Sequence, residues 1–244
     1  MNEVILITLV ILFLAVLQSI VGVGILVIGT PFLLILNYDI ISILSLLLPI
    51  SIITSLLNLI FFKLNKKKLE MKLSSNTKYL FFFVCLPSIF IGLFFLELYK
   101  DAINFQYSVA AIIFFSFIIM KFKKFILKIN DKIKVIFLFL IGIIHGVTNS
   151  GGTLLSLFMS AHLKKNNSRY GITFFYFFLA VFQFIIFNLL FVTNIDFIYL
   201  KYILIFLPLS VIMGNFIIKY IDEKIFKILI ETISLITCVC LILL

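Results

Sequence analysis

Long apolar runs separated by short polar segments organise this chain of 244 residues. The runs lie at 4–36, 40–62, 79–98, 107–120, 135–163, 170–192, 197–218 and 226–244. A helix needs about 20 apolar residues to cross the hydrocarbon core of a bilayer. Six of the runs therefore predict single transmembrane helices, of which 107–120 is the shortest. The pattern predicts an all-α polytopic membrane protein.

Two of the runs, 4–36 and 135–163, are too long for one crossing and contain small or polar residues near their middles. The first is interrupted by GVG at 22–24 and GTP at 29–31, and the second by TNSGGT at 148–153. Irregular backbone at membrane depth is tolerated only where it is buried in protein or lines a wet cavity. We therefore predict two broken, re-entrant helical hairpins and expect function at their breaks.

The charged residues predict the orientation of these segments. Lysine and arginine cluster at 63–78, 121–134, 164–169 and 219–227, whereas Asp39, Asp101 and Asp196 mark the other connections. The positive-inside rule places the basic connections in the cytoplasm. Run 135–163 then enters and leaves on the cytoplasmic side, and the first hairpin enters and leaves outside. Both chain termini are predicted outside.

Composition narrows the class of protein. Apolar residues make up 64% of the chain and charged residues 12%, against about 45–50% and 25% in soluble domains. These values exclude a soluble enzyme, a disordered chain and a nucleic-acid partner. The net charge of +10 comes from lysine-rich connections, and we interpret it as a determinant of orientation in the bilayer. Cys85, Cys238 and Cys240 lie in apolar runs without metal-ligand spacing, so we predict no metal and no cofactor. The first segment lacks a cleavage-site pattern and is expected to belong to the mature fold.

The chain divides into two similar halves, 1–125 and 126–244, each a hairpin followed by three crossings. Because three is odd, the second half begins on the opposite side of the membrane, as in the inverted repeats of secondary transporters. Gly24 matches Gly152 at an offset of 128 residues, and Leu-Pro pairs precede glycines in both third crossings. We expect one integral membrane domain made of two membrane repeats.

Residues 13–36 and 139–173 resemble the two glycine-rich motifs of the sulfite exporter TauE/SafE family, and the segments around Gly92 and Gly214 are similar to its third crossings. Thr153 stands where the second motif of that family has proline. The resemblance implies transport of small sulfur-containing or organic anions, such as sulfite, thiosulfate or organosulfonates, across a bacterial inner membrane. It implies a transporter and not an enzyme.

The breaks are suited to an anion without appeal to any family. A helix N-terminus exposes unpaired N–H groups and carries a partial positive charge, and glycine lets an anion approach closely. The two half-helices that follow the breaks would begin near mid-membrane and converge on one site. Neither break contains lysine or arginine, so helix dipoles and neutral donors would hold the anion. The candidate substrate-binding residues are Gln18, Ser19, Gly22, Gly24, Thr148, Asn149, Ser150, Gly151, Gly152 and Thr153.

Several polar residues allow two interpretations. His145 could relay a proton and couple transport to a proton gradient, or it could be a neutral histidine bonded to a neighbouring helix. Asn58 and Gln183 could line a cavity or bond within the bundle. The basic residues of 164–169 could set topology alone or gather anions at the cytoplasmic side.

Three functions remain open from the sequence: a carrier, an anion channel and a non-transporting membrane subunit. A membrane enzyme is disfavoured because the chain has no Gly-x-Ser-x-Gly nucleophile, no pair of membrane aspartates and no cluster of metal ligands. No ATP-binding signature is present either, so primary transport would need a partner chain.

Overall fold

The computed structural model describes residues 3–64, 75–99, 131–191 and 197–229, with isolated positions at 107–118 and 231–235. In this part of the chain the secondary structure is helical and no strand is present. Five of the described helices are long and apolar enough to cross a membrane. The prediction of an all-α polytopic membrane protein is confirmed.

The described helices follow the order of the apolar runs. They are α1 (Glu3–Val21), α2 (Ile25–Ile35), α3 (Ile40–Leu64), α4 (Ser75–Leu80), α5 (Leu86–Tyr99), α6 (Asp131–Thr148), α7 (Gly151–His162), α8 (Lys165–Leu190) and α9 (Phe197–Ile217). A π-helical turn, Phe81–Cys85, joins α4 to α5 just before Pro87, and a 3-10 turn extends α9. Proline cannot donate the backbone hydrogen bond of a regular helix, and the irregular π turn before Pro87 accommodates the missing bond. The predicted crossings at 107–120 and 226–244 lie largely outside the described residues.

Both long apolar runs are broken into two helices at the predicted glycine-containing segments. Gly22 has a φ of 102° in the first break and Asn149 a φ of 62° in the second, both in the left-handed region. Glycine occupies this region freely and asparagine more readily than other residues with a side chain. The second interruption expected in the first run, at 29–31, is wrong because α2 continues through Pro31. Packing on most sides of α2 maintains the helix where Pro31 donates no hydrogen bond.

Helix packing interleaves the two halves of the chain. Helix α1 packs along α9, and α6 packs along α5, so the first helix of each hairpin lies against the other half. Helices α3 and α8 pack on each other, and the short helices α2 and α7 also touch. If each helix of one half is replaced by its counterpart in the other half, the same pairs of helices remain in contact.

Two glycines allow the closest of these approaches. A Cβ atom on Gly92 would overlap the carbonyl oxygen of Ile143 in α6. A Cβ atom on Gly214 would lie 2.6 Å from the carbonyl oxygen of Val16 in α1. Small residues let membrane helices pack backbone to backbone in this way. Gly92 and Gly214 thus perform the same packing role in the two halves.

A carboxylate outside the membrane-spanning segments stabilises the start of α3. Asp39 precedes α3, and its carboxylate accepts hydrogen bonds from the Ser42 hydroxyl and from the amides of Ile41 and Ser42. Partial burial raises the pKa of Asp39, but these hydrogen bonds outweigh it and keep the pKa below its usual value. The capping bonds therefore persist at neutral pH and are lost in strong acid, when the folded-state carboxylate is protonated.

We expect Gly92→Ala and Gly214→Ala to destabilise the protein, each by about 1–3 kcal/mol, because an added methyl group would force two backbones apart. Apparent melting temperatures in detergent would measure the effect. Gly171→Ala is the matched control, since a Cβ atom there would meet only ordinary contacts, 3.5 Å from Met159 Sδ. Equal melting temperatures for all three variants would contradict this interpretation of the helix crossings.

Candidate functional site

The two hairpins pass each other along the face of α8. A Cβ atom on Gly22 would lie 2.8 Å from Ile172, whereas Asn149 accepts a hydrogen bond from Gln183. These two positions on α8 are separated by roughly 16 Å at 1.5 Å per residue. The breaks themselves therefore lie at different depths. The first turns of α2 and α7 meet between them, where a Cβ atom on Gly152 would lie 3.1 Å from Val27.

Gln18 closes the first break. Its Oε1 accepts a hydrogen bond of 3.1 Å from the Ile25 amide, the first N–H of α2. Its Nε2 donates to the Ser51 carbonyl at 3.1 Å and to the Ser55 hydroxyl at 3.0 Å, both in α3. The side chain that we predicted to contact substrate thus caps the half-helix and ties it to α3.

Asn149 joins the second break to the first hairpin. Its Nδ2 donates to the Thr30 hydroxyl of α2 at 3.0 Å, and its Oδ1 accepts a bond of 2.9 Å from Gln183 Nε2. The same Gln183 nitrogen donates to the His145 carbonyl at 3.0 Å, near the end of α6. One asparagine therefore connects α2, the second break and α8.

Hydroxyl groups of the second break bond to backbone close to them in the chain. Thr148 Oγ1 donates to the Ile144 carbonyl at 2.9 Å, and Ser150 Oγ donates to the Thr148 carbonyl at 3.2 Å. The Thr153 hydroxyl and amide both donate to the Ser150 carbonyl. A proline at 153 could donate neither bond. These predicted donors thus stabilise the break itself.

Three fully buried side chains lie together where the hairpins cross: His145, Tyr176 and Gln183, which we call the central cluster. The rings of His145 and Tyr176 are 5.8 Å apart between centroids. The Tyr176 hydroxyl lies near the Ser51 hydroxyl of α3 and the amides of Leu26 and Val27 at the start of α2, but none of these groups has full hydrogen-bonding geometry. Tyr176 is not among the binding residues predicted from the sequence.

The central cluster concentrates unsatisfied polar atoms. Six buried side-chain atoms of the described residues lack a hydrogen-bond partner, and four of them belong to this cluster: both ring nitrogens of His145, the Tyr176 hydroxyl and Gln183 Oε1. Each such atom costs about 1–3 kcal/mol if nothing binds it. The interpretation of His145 as bonded to a neighbouring helix has no support, since neither ring nitrogen finds an acceptor or donor there.

Glycines in the two breaks have matching surroundings at an offset of 127 residues, one less than predicted. A Cβ atom on Gly24 would meet Gln18 and Leu14, and one on Gly151 would meet His145 and Ile141. Gly24 therefore matches Gly151 and not Gly152. Gln18 and His145 occupy matching places. Both the oxygen and the nitrogen of the Gln18 side-chain amide form hydrogen bonds, whereas neither ring nitrogen of His145 does.

Arg169 corrects the assignment of 164–169 to a cytoplasmic loop. Helix α8 begins at Lys165, and Arg169 is only 6% exposed within its second turn. Its Nε donates to the Ser19 carbonyl at 2.8 Å, and its guanidinium carbon lies 4.6 Å from the centre of the Phe62 ring. A cationic side chain thus contacts the end of α1 beside the first break, although the residues of the two breaks themselves include no lysine or arginine.

Asparagines extend the contacts of Arg169 to two further helices. Arg169 Nη2 donates to Asn215 Oδ1 at 2.6 Å, and Asn215 Nδ2 donates to Asn58 Oδ1 at 2.7 Å. Asn58 Nδ2 donates in turn to the Ser19 hydroxyl at 2.9 Å. Ser19, predicted to contact substrate, is thereby part of a network that joins α1, α3, α8 and α9. The heptad spacing of residues 169, 176 and 183 is the signal that could have placed Arg169 and Tyr176 with Gln183.

We expect Asn149→Ala to destabilise the protein more than Asn149→Gly. Both variants lose the bonds to Thr30 and Gln183, but only alanine must also adopt the left-handed backbone, at a further cost of about 1–2 kcal/mol. Thermal unfolding of the two variants in detergent would measure the difference. A lower melting temperature for the glycine variant would contradict the left-handed geometry of the second break.

Comparison with known proteins agrees with this architecture. The family model described as "Sulfite exporter TauE/SafE" matches residues 7–241. Searches of curated proteins and of solved structures gave no significant match. The family match covers both hairpins and the helices that pack against them, so the protein is a multi-pass membrane transporter. The chain belongs to the sulfite exporter TauE/SafE family.

Proposed function

We propose that the protein is a secondary transporter of a small sulfur-containing anion such as sulfite, thiosulfate or an organosulfonate. The observation that carries this proposal is the central cluster, with four unpartnered polar atoms beside the first turns of two half-helices. Buried polar groups in native proteins are nearly always bonded, so a set left unbonded indicates a place for a polar ligand. Family membership supplies the class of ligand.

The chemistry of the cluster suits an oxyanion. The Tyr176 hydroxyl donates one hydrogen bond, and neutral His145 donates another from one ring nitrogen while the other nitrogen accepts. The amides at the start of α2 add a partial positive charge on the side that the Tyr176 hydroxyl faces. Gln183 Oε1 accepts, which favours an anion that still carries a proton. Because all these groups are neutral, the anion would be held weakly enough to leave again.

We propose further that residues 1–125 and 126–244 are inverted repeats that move relative to each other. The exchange pattern of helix contacts and the matched surroundings of Gly24 and Gly151 support this division. Movement of one hairpin past the other would expose the central cluster to either side in turn, as in other transporters built from repeats. Both termini would lie outside the bacterial inner membrane.

His145 is the proposed proton carrier of the central cluster. Neither ring nitrogen has a partner in full hydrogen-bonding geometry among the described residues, and the polar group beside the ring is the backbone of Asn149 in the second break. A protonated imidazole beside an anion would gain a charge-assisted hydrogen bond, which couples the two bindings. A proton gradient would then drive anion flux.

We expect Gly152→Leu to abolish anion flux in proteoliposomes loaded with sulfite or thiosulfate. Even a Cβ atom at Gly152 would lie 2.6 Å from the Tyr176 ring, so a leucine would occupy the central cluster. Gly171→Ala is the control for glycine substitution and should retain saturable flux. Normal transport by the leucine variant would contradict the proposed site. Unsaturable, ohmic conductance of the unmodified protein would favour a channel instead.

A further inference from the structure

One face of α8 carries a polar residue at every second turn: Arg169, Tyr176 and Gln183. Seven residues turn a helix by about 700°, so the three side chains lie in line. Ser51, Ser55 and Asn58 form a similar line on α3, which packs against α8. We call these two lines the polar seam: Ser51, Ser55, Asn58, Arg169, Tyr176 and Gln183. All six side chains are buried.

The seam extends from the start of α8 to the central cluster, and contacts between α3 and α8 are present at both ends. Phe62 of α3 covers Arg169, and Asn58 reaches Arg169 through Asn215. Ser51, two turns earlier in α3, lies at the level of Tyr176. The two helices therefore run antiparallel. The line of polar groups that they enclose begins at Arg169 and ends at Gln183.

Arg169 is the one member of the seam with a permanent charge, and no carboxylate of the described residues forms an ion pair with it. Within the described part of the chain, Lys227 and Glu223 form an ion pair, but it lies outside the bundle. Its acceptors are neutral: the Ser19 carbonyl and Asn215 Oδ1. A buried cation without an anion is costly at membrane depth, and such residues mark substrate pathways.

The remaining hydrogen-bonding capacity of Arg169 points to a ligand. The Ser19 carbonyl accepts from Nε and Nη2 and Asn215 Oδ1 accepts from Nη2, whereas the described residues give Nη1 no acceptor. Arg169 is 6% exposed whereas Tyr176 and Gln183 are fully buried, so the seam is most accessible at this end. Two separate observations lie along the same helix face: a guanidinium without an ion-pair partner at Arg169, and unpartnered polar atoms at Tyr176 and Gln183, about two and four turns further on.

We infer that Arg169 is the first binding position of the transported anion, reached from the side of the membrane where α8 begins. This inference rests on the proposed function, and the basic residues at that end assign the side to the cytoplasm. The planar guanidinium would hold an oxyanion by charge and by the Nη1 hydrogens. The anion would then pass along the seam to the neutral central cluster, from which release is easier.

The test combines binding and transport for three variants. Arg169→Gln removes the charge, Arg169→Lys keeps the charge without the fork of donors, and Lys164→Gln removes a charge from an exposed neighbour at the same end of α8. Binding is followed as the increase in melting temperature of the purified protein on titration with sulfite or thiosulfate. Transport is followed as the KM for the same anion presented at the cytoplasmic face of proteoliposomes.

We expect Arg169→Gln to raise the dissociation constant and the KM at least tenfold, Arg169→Lys to raise them less, and Lys164→Gln to leave them within twofold. Equal shifts for Arg169→Gln and Lys164→Gln would indicate surface attraction only and would overturn the inference. A lowered melting temperature with unchanged KM would assign Arg169 a structural role and would also overturn it.

Two outcomes separate this inference from the proposed function. Anion binding that depends on Arg169, in a protein that carries no flux, would retain the binding position and reject the transporter. Saturable flux that does not depend on Arg169 would retain the transporter and reject the binding position. If Arg169→Gln fails to fold, anion binding by Arg169→Lys within tenfold of the unmodified protein supports the inference, and a complete loss in that folded variant contradicts it.

Discussion

The need to satisfy backbone polar groups at membrane depth shapes the rest of this structure. Each broken helix ends and begins again inside the bundle, which exposes carbonyl groups on one side of the break and N–H groups on the other. Side chains from other helices meet part of this requirement: Arg169 binds the Ser19 carbonyl, and Gln18 caps the Ile25 amide. The breaks are therefore stable only when the whole bundle is assembled around them.

This dependence explains why the polar residues join distant parts of the chain. Asn149 reaches Thr30 across 119 residues, and Arg169 reaches Ser19 across 150. Gly92 and Gly214 bring the supporting helices close enough for such contacts. Among the described residues, the buried polar atoms that remain without a partner belong largely to the central cluster, where a bound anion would complete the bonding. Structure and proposed transport thus follow from one constraint.

Much of the fold could be predicted from hydropathy, because the apolar runs and their small-residue interruptions determine where helices lie and break. The site was harder to predict. Gln18, Thr148, Ser150 and Thr153 were selected for being polar near a break, yet their bonds serve the protein itself. Tyr176 is one aromatic residue among many; its heptad spacing places it on the helix face of Arg169 and Gln183, but its contacts with His145 and with the start of α2 are visible only in the structure. Arg169 was predicted to lie in a loop because it belongs to a cluster of basic residues, and nothing in that part of the sequence indicates that its side chain is buried.

The most direct test of the account is the affinity of the purified protein for sulfite or thiosulfate after Tyr176→Phe, which removes a single hydroxyl from the central cluster. Tyr170→Phe, on the same helix and packed against Phe62, is the matched control. Loss of a hydrogen bond to a charged ligand, about 1.5–3 kcal/mol, predicts at least a tenfold weaker affinity for the Tyr176 variant alone. Unchanged affinity in the folded Tyr176 variant would show that the anion does not bind where the hairpins cross.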